Sequence, residues 1–268
     1  MPLVSIICSV KNGGELLSQT IESVIDQSIT DWEFIIVDDG SVDNTPEVIK
    51  SYNRRDKRII FLPTNGIGRG KALNLAIDTA KGDYIANIDA DDPIHPKRLE
   101  IQFKLIKDSE YSLLSSNYLI IRDSEKPIWE NSFNDINNLD ITFLNEKLPY
   151  QNPINHSSVL MNKSDLIKIG KYNVNITSQF DYELWIRFAK NNLKMGKIPL
   201  TLCSKRIHHN QSFENKKRIK YLINSMNVQR KAIKDLKGPL SASLLMYLRF
   251  FYGLLPQRLR VKLKNKKY

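Results

Sequence analysis

Four stretches near the start of the chain are almost unbroken runs of apolar and β-branched residues: VSIICSV (4–10), EFIIVDD (33–39), RIIFL (58–62) and DYIANIDA (83–90). A strand with one wet face alternates, whereas a strand covered on both faces does not, so these runs predict a buried parallel sheet. Helical periodicity fills the gaps between them. Leu17, Ile21, Val24 and Ile25 share one helical face, and Ala72, Leu73, Ala76, Ile77 and Ala80 share another that Gly82 closes. Pro46 suits the first turn of a third, short helix. Strand and helix alternating at this spacing predict an open α/β sheet with right-handed crossovers.

From about residue 111 the alternation weakens. YSLLSS and YLIIR read as two more strands, the polar run DSEKPIWENSFNDINN as a variable loop, and NHSSVLM (155–161) as a strand. SDLIKIG reads as a short helix, and FDYELWIRFAKNN places Leu184, Trp185, Phe188 and Ala189 on one helical face. The expected division is a core domain over 1–212 and a helical, basic, amphipathic extension over 213–268, within which Gly238-Pro239 breaks one helix from the next.

Composition changes this picture in two places. The formal charge of +11 is unevenly spread: no acidic residue follows Asp235, while Lys237, Arg249, Arg258, Arg260, Lys262, Lys264, Lys266 and Lys267 do. The body is only mildly basic and carries no recognisable nucleic-acid module, so nucleic acid is not an expected partner. Cys8 and Cys203 are far apart and outside any CxxC spacing, which predicts reduced, buried thiols. MPLVSIICSV has no basic leader or cleavage site, and the expected compartment is the cytoplasm.

The chemistry concentrates at strand ends. In an open α/β sheet ligands collect at the carboxyl ends of the strands, where Asp38 and Asp39 follow one strand and Asp89, Asp91 and Asp92 another. Either cluster alone reads equally as a turn or a helix cap. Two at one edge repel unless a positive group lies between them, and hard oxygen donors suit Mg²⁺ or Mn²⁺ holding a diphosphate. GIGRGKALN imitates a phosphate loop but fails both glycine-rich patterns: Asn65 stands where a P-loop needs glycine, Ala72 where it needs a hydroxyl, and Lys71 at the third glycine of GxGxxG.

VSIICSVKNG, SVIDQSITDWEFIIVDDGSVDNT, GIGRGKALNLAIDTAKGDYIANIDADD and FDYELWIR, in this order over residues 2–212, resemble the successive signatures of family 2 glycosyltransferases, inverting enzymes with the GT-A fold. NPINHSSVLM and RIHHNQS are most similar to bacterial enzymes that build lipopolysaccharide O-antigen, capsule or exopolysaccharide. The resemblance implies a metal-dependent hexosyl- or N-acetylhexosaminyl-transferase using a nucleotide-diphosphate sugar, first of all a UDP-sugar. The alternative is a catalytically silent member that binds nucleotide-sugar or scaffolds a glycan-assembly complex.

The same resemblance implies roles. Asp39 matches the base-binding position, with Asp38 beside it; a carboxylate accepts the N3–H of uracil or thymine. DADD is similar to the DXD motif, so Asp91 faces the ribose and Asp92 reaches the metal, with Asp89 supporting them. Arg69 or Lys71 meets the phosphates. Asp181 matches the catalytic base, although Phe180 replaces the glutamate usual before it, and the residue-based alternative for Asp181 is a helix N-cap. His208 matches a histidine that approaches the diphosphate or metal, with His209 as the neighbouring alternative. His156 matches a position on the acceptor side, or else is a hydrogen-bonded histidine at a strand start.

The run from Leu244 to Leu255 is interrupted by Arg249, ended by Pro256 and too short to span a bilayer. Leucines and aromatics mixed with arginines, then a cationic end, predict a segment lying on an anionic membrane surface; a helix packed on the core or a second subunit is the other reading. With the resemblance, this implies a protein peripheral on the inner face of the cytoplasmic membrane and a polyprenyl-diphosphate-linked acceptor.

Overall fold

The structure is a computed structural model that describes residues 2–130, 133, 136–176, 178–207, 218–256 and 260. The four apolar runs form β1 (Val4–Val10), β2 (Trp32–Asp39), β3 (Ile59–Thr64) and β4 (Tyr84–Asn87), all parallel. They belong to one eight-stranded sheet of order β3-β2-β1-β4-β7-β5-β8-β6, completed by β5 (Tyr111–Arg122), β6 (Thr142–Phe143), β7 (Leu160–Asn162) and β8 (Lys194–Ile207). β7 runs antiparallel to both β4 and β5, so the sheet is mixed beyond its parallel half.

Side-chain alternation explains why the strands read as continuous. Ile7, Ile35, Val37 and Ile85 point to one face, where α3 (Arg69–Thr79), α5 (Lys163–Lys168), α6 (Phe180–Lys190) and α7 (Arg218–Asp235) add Leu73, Leu166, Trp185 and Val228. Val4, Ile6, Cys8, Phe34 and Ile36 point to the other, against α1 (Gly14–Ile25), α2 (Thr45–Arg55) and α4 (Arg98–Ile106). Both faces are dry, and both cysteines are buried free thiols.

Three local expectations are revised. YSLLSS and YLIIR are one strand, β5, continuous through Asn117; its register on β8 shifts there, and Asn117 Nδ2 donates to Pro199 O at 3.0 Å. NHSSVLM is only partly strand: His156–Ser158 is a 3₁₀ turn because Ser158 N and Oγ both donate to Asn155 O, at 3.1 and 2.8 Å. Asp181 is not the N-cap of α6. Gln179 takes that position, with φ +60°, and Asp181 lies in the first turn.

The extension packs on the core through α7: Gln229 Nε2 donates to Pro149 O and Tyr150 O, and Lys231 Nζ pairs with Glu183 Oε1 at 2.7 Å. After Gly238, α8 (Leu240–Leu254) folds back on α7, with Gly253 against Leu222. Ala242, Met246 and Gly253 are buried, whereas Leu244, Leu248 and Phe251 are about three-fifths exposed at 62%, 57% and 62%. Among the described residues no helix is long and apolar enough to cross a membrane.

Candidate active site

β1, β2 and β3 end level, with Val10 paired to Asp38 and Asp39 to Thr64, so the loops that follow them meet at one edge. Asn12 Oδ1 accepts from Val42 N at 2.9 Å, and Thr45 Oγ1 accepts from Gly13 N and Gly14 N at 2.9 and 3.0 Å. These bonds join the loop after β1 to the loop after β2. Asp38 Oδ1 accepts from Ser41 N at 3.0 Å and closes the DDGS turn.

Asp39 is buried and ties in the third loop. Its carboxylate accepts from Thr64 Oγ1 at 2.9 Å, Ile67 N at 2.7 Å and Gly68 N at 3.0 Å. The two loops also touch through backbone: a Cβ at Gly40 would lie 2.9 Å from Gly66 N, and Gly40 and Gly66 have φ of +78° and +76°. Gly40→Ala therefore costs roughly 1–2 kcal/mol in conformation alone and also forces the GIGRG loop outward. The expected result is a lower Tm together with weaker nucleotide binding in a titration; unchanged values of both would show that the loops do not depend on this contact.

The GIGRG loop delivers Arg69 to the first turn of α3, where it pairs with Asp89. Burial opposes the Asp89 charge, but Arg69 and then His156 outweigh it and hold its carboxyl well below the usual range. Arg69 is pushed the other way, upward, by Asp89 first, and also by Asp181. The guanidinium lies 5.4 Å from the Phe180 ring centroid. Phe180, the residue before Asp181, thus packs against the cation that pairs with Asp89. Lys71 is exposed on the same turn of α3.

His156 is buried at the centre of this group. Its Nδ1 is 3.0 Å from Asn87 Nδ2 and 3.7 Å from Asp89 Oδ1, its Nε2 is 2.8 Å from Tyr172 Oη, and the Phe180 ring meets it edge-on at 5.5 Å. Asp181 is half-buried, and Asn152 Nδ2 donates to its Oδ2 at 2.8 Å.

Asp92 has a different environment from its neighbours. It is buried, and its two oxygens accept from Arg206 N at 2.7 Å and Ser157 Oγ at 3.0 Å. Burial first, then Asp89 and Asp91, push its carboxyl well above the usual range. The side chain fastens the DADD turn to β8 and to the 3₁₀ turn. Arg206 completes that anchor: Nε donates to Asp91 O at 2.9 Å, Nη2 to Gln19 Oε1 at 2.8 Å and Nη1 to Glu125 O at 2.9 Å.

Among the described residues no group of three or more His, Cys, Asp or Glu side chains can hold a metal ion by itself. The donor set nonetheless suits a shared site. Asp91 is half-buried beside Asp89 and Asp92, and its carboxylate is a hard oxygen donor of the kind that would suit a divalent cation. His208 and His209 lie outside the described residues.

Sequence reasoning missed Arg206, Ser157, Asn152 and Tyr172. For Arg206 a signal existed: Leu202, Ser204 and Arg206 follow the inward period of a strand and are all buried, and an inward arginine requires acceptors.

The sequence profile described as Glycosyl transferase family 2 matches residues 5–170. An uncharacterized glycosyltransferase of Methanocaldococcus jannaschii is 34% identical over 221 residues, which cover 79% of this chain and 73% of that protein. TuaG of Bacillus subtilis, whose name assigns it to teichuronic acid biosynthesis, is 34% identical over 129 residues, 47% of this chain and 51% of its own length. The chain therefore spans only about half of that relative. Among solved structures, the mannosyltransferase PcManGT of Pyrobaculum calidifontis, in complex with GDP-Man and Mn²⁺, superposes with a TM-score of 0.71 at 18% identity, covering 94% of this chain and 72% of that one. TarS 1-349 of S. aureus with UDP-GlcNAc gives 0.68 at 16% identity, with the same coverage of 94% and 72%. These likenesses establish the fold as GT-A. The profile covers more than half of the 268 residues, and the chain belongs to Glycosyl transferase family 2.

Proposed function

We propose that the chain is a metal-dependent inverting glycosyltransferase that moves one sugar from a nucleoside-diphosphate donor to a hydroxyl of a surface glycan under assembly. The observation that carries this reading is the position of Arg69, which pairs with Asp89 while its guanidinium lies 5.4 Å from the ring centroid of Phe180, the residue before Asp181. The cation thus stands between the donor edge and the turn of α6 that carries the candidate base. A UDP-sugar is the first donor to test; structural neighbours were solved with UDP-GlcNAc and with GDP-Man, so the base is chosen by measurement.

In this reading Asp39 orders the loop that borders the nucleotide base and presents an acceptor to it. Arg69 and Lys71 meet the diphosphate. Asp91 and His208 would hold Mn²⁺ or Mg²⁺, which would stabilise charge on the leaving diphosphate. Asp92 acts in this reading as a positioning residue, accepting from Arg206 N and Ser157 Oγ and so holding the DADD turn, with its remaining lone pairs free to support the metal beside Asp91. Asp181 takes the proton of the acceptor hydroxyl as that oxygen bonds to the anomeric carbon. The bond from this carbon to the phosphate oxygen breaks on the opposite face, inverting the centre. Asn152 fixes the carboxylate for that transfer, and His156 supports the wall between donor and acceptor sides.

The acceptor we propose is lipid-linked, with the protein peripheral on the inner face of the cytoplasmic membrane. Support comes from the exposed Leu244, Leu248 and Phe251 on α8 and the cations that follow it in the sequence. The test is transfer of radiolabelled sugar from UDP-, GDP- and dTDP-sugars into a lipid-extractable product of bacterial membranes. Label from one donor class is expected to be incorporated with Mn²⁺ and lost with chelator. No incorporation from any donor, or incorporation only into a water-soluble product, would overturn the lipid-linked reading.

A further inference from the structure

Arg98 opens α4 and is fully buried, yet every hydrogen-bond partner of its guanidinium is neutral. Nε donates to Gln102 Oε1 at 2.9 Å, Nη2 donates to Asn87 O and Val159 O, both at 3.1 Å, and Nη1 has no partner. Gln102, one turn along the helix, donates from Nε2 to Leu114 O at 3.0 Å and Ser158 O at 2.8 Å. The two side chains tie the end of β4, where the DADD turn begins, to the 3₁₀ turn whose Ser157 holds Asp92. A buried charge without an ionic partner is costly, and a neutral donor can hold such carbonyls, as Gln102 does. Carbonyl bonding alone therefore does not account for the charge.

The acids of the DADD turn do account for it. Burial pushes the guanidinium down to about 10, against the pull of Cys203, Asp92 and Asp89, so it stays protonated at neutral pH. α3 and α4 lie on opposite faces of the sheet, so Arg69 reaches the turn from one face and Arg98 from the other. We propose that Arg98 is an electrostatic positioning residue, whose buried cation offsets the charge of Asp89, Asp91 and Asp92 so that the turn takes up a divalent cation together with a diphosphate rather than alone. The inference rests on the transferase reading above and assigns to α4 the control of how metal and donor enter the site. A fixed positive charge repels a bare cation and attracts an anion, so its removal shifts the two affinities in opposite directions. Loosening of a purely structural tie would weaken both.

The experiment titrates the full chain with Mn²⁺ alone, followed by the electron paramagnetic resonance of the free ion. A calorimetric titration at saturating Mn²⁺ then uses whichever of UDP, GDP, dTDP and CDP the unmodified chain binds most tightly. Arg98→Met is expected to bind Mn²⁺ alone about tenfold more tightly and the nucleotide about tenfold less tightly, as loss of one nearby unit charge dictates. Arg98→Lys keeps the charge and is expected to stay within about threefold of the unmodified chain in both titrations, although it lacks the planar fork. Gln102→Leu removes two carbonyl bonds and no charge, so it lowers Tm without driving the two affinities apart. A fall of both affinities in Arg98→Met would make Arg98 a structural tie, no change in either would leave its charge without effect, and an Arg98→Lys that matches Arg98→Met would make shape decisive; each overturns the proposal. If Arg98→Met does not fold, Arg98→Gln, which retains donors for the carbonyls, decides on the same pair of readings. Nucleotide binding by the unmodified chain, with both affinities moving together in the variants, refutes this inference alone. No nucleotide binding by the unmodified chain refutes the transferase reading, and the Mn²⁺ titration still tests Arg98.

Discussion

Asp181→Asn is expected to lower sugar transfer by about 10²–10⁴-fold, the range for loss of a general base, while nucleotide affinity stays within about twofold. The substitution changes almost nothing except basicity. Asp181 sits in the first turn of α6, its Oδ2 accepts from Asn152, and an asparagine of the same shape can accept there through its remaining oxygen. Arg69 keeps its pairing with Asp89, so the donor edge is undisturbed. A rate within tenfold of wild type would remove Asp181 from the proton transfer. Equal loss of nucleotide binding and turnover would show that its charge serves the donor site through Arg69.

Asp91→Asn is expected to weaken nucleotide binding in the presence of Mn²⁺ by about 100-fold, or roughly 2.7 kcal/mol. Asp92→Asn is the contrasting variant. Its side chain holds the turn by accepting from Arg206 N and Ser157 Oγ, so the amide replaces one of two acceptors in a buried site. That variant is expected to lower Tm and to weaken nucleotide binding by less than Asp91→Asn, with the metal dependence preserved. The reverse pattern, with metal dependence lost in Asp92→Asn and retained in Asp91→Asn, would restore Asp92 as the ligand.

What the sequence revealed depended on the pattern of each element. β1 and β2 were legible because burial on both faces leaves an unbroken apolar run, and α3 because four of its buried positions are small or aliphatic. α4 was not, since its buried face includes Arg98 and Gln102, whose hydrogen bonds to Asn87 O, Val159 O, Leu114 O and Ser158 O replace hydrophobic packing. β8 was obscured by Gly196, Pro199 and the lysines spaced along it; Gly196 is required because a Cβ there would lie 2.6 Å from Ile141 Cγ2 and 2.8 Å from Leu114 Cδ2.

The candidate site divides along the same line. Asp38, Asp39, Arg69, Lys71 and the DADD turn follow strand ends or open a helix, so topology and motif spacing located them together. Their supports come from distant parts of the chain: Asp92 on Arg206, Asp181 on Asn152, and His156 on Tyr172. Such residue types are common on any surface, and only tertiary pairing sets these apart. Phe180 carries a similar lesson. It departs from the family pattern in sequence, and in space its ring lies between His156 and Arg69, packing on both.

The measurement that tests the account most directly is calorimetric titration of the unmodified chain with UDP, GDP, dTDP and CDP, each with and without Mn²⁺. The account predicts that one nucleoside diphosphate binds, and that it does so only with the metal. Failure of all four to bind under both conditions, or equally tight binding with and without metal, would contradict a metal-assisted donor site at the edge formed by Asp39, Arg69 and Asp91.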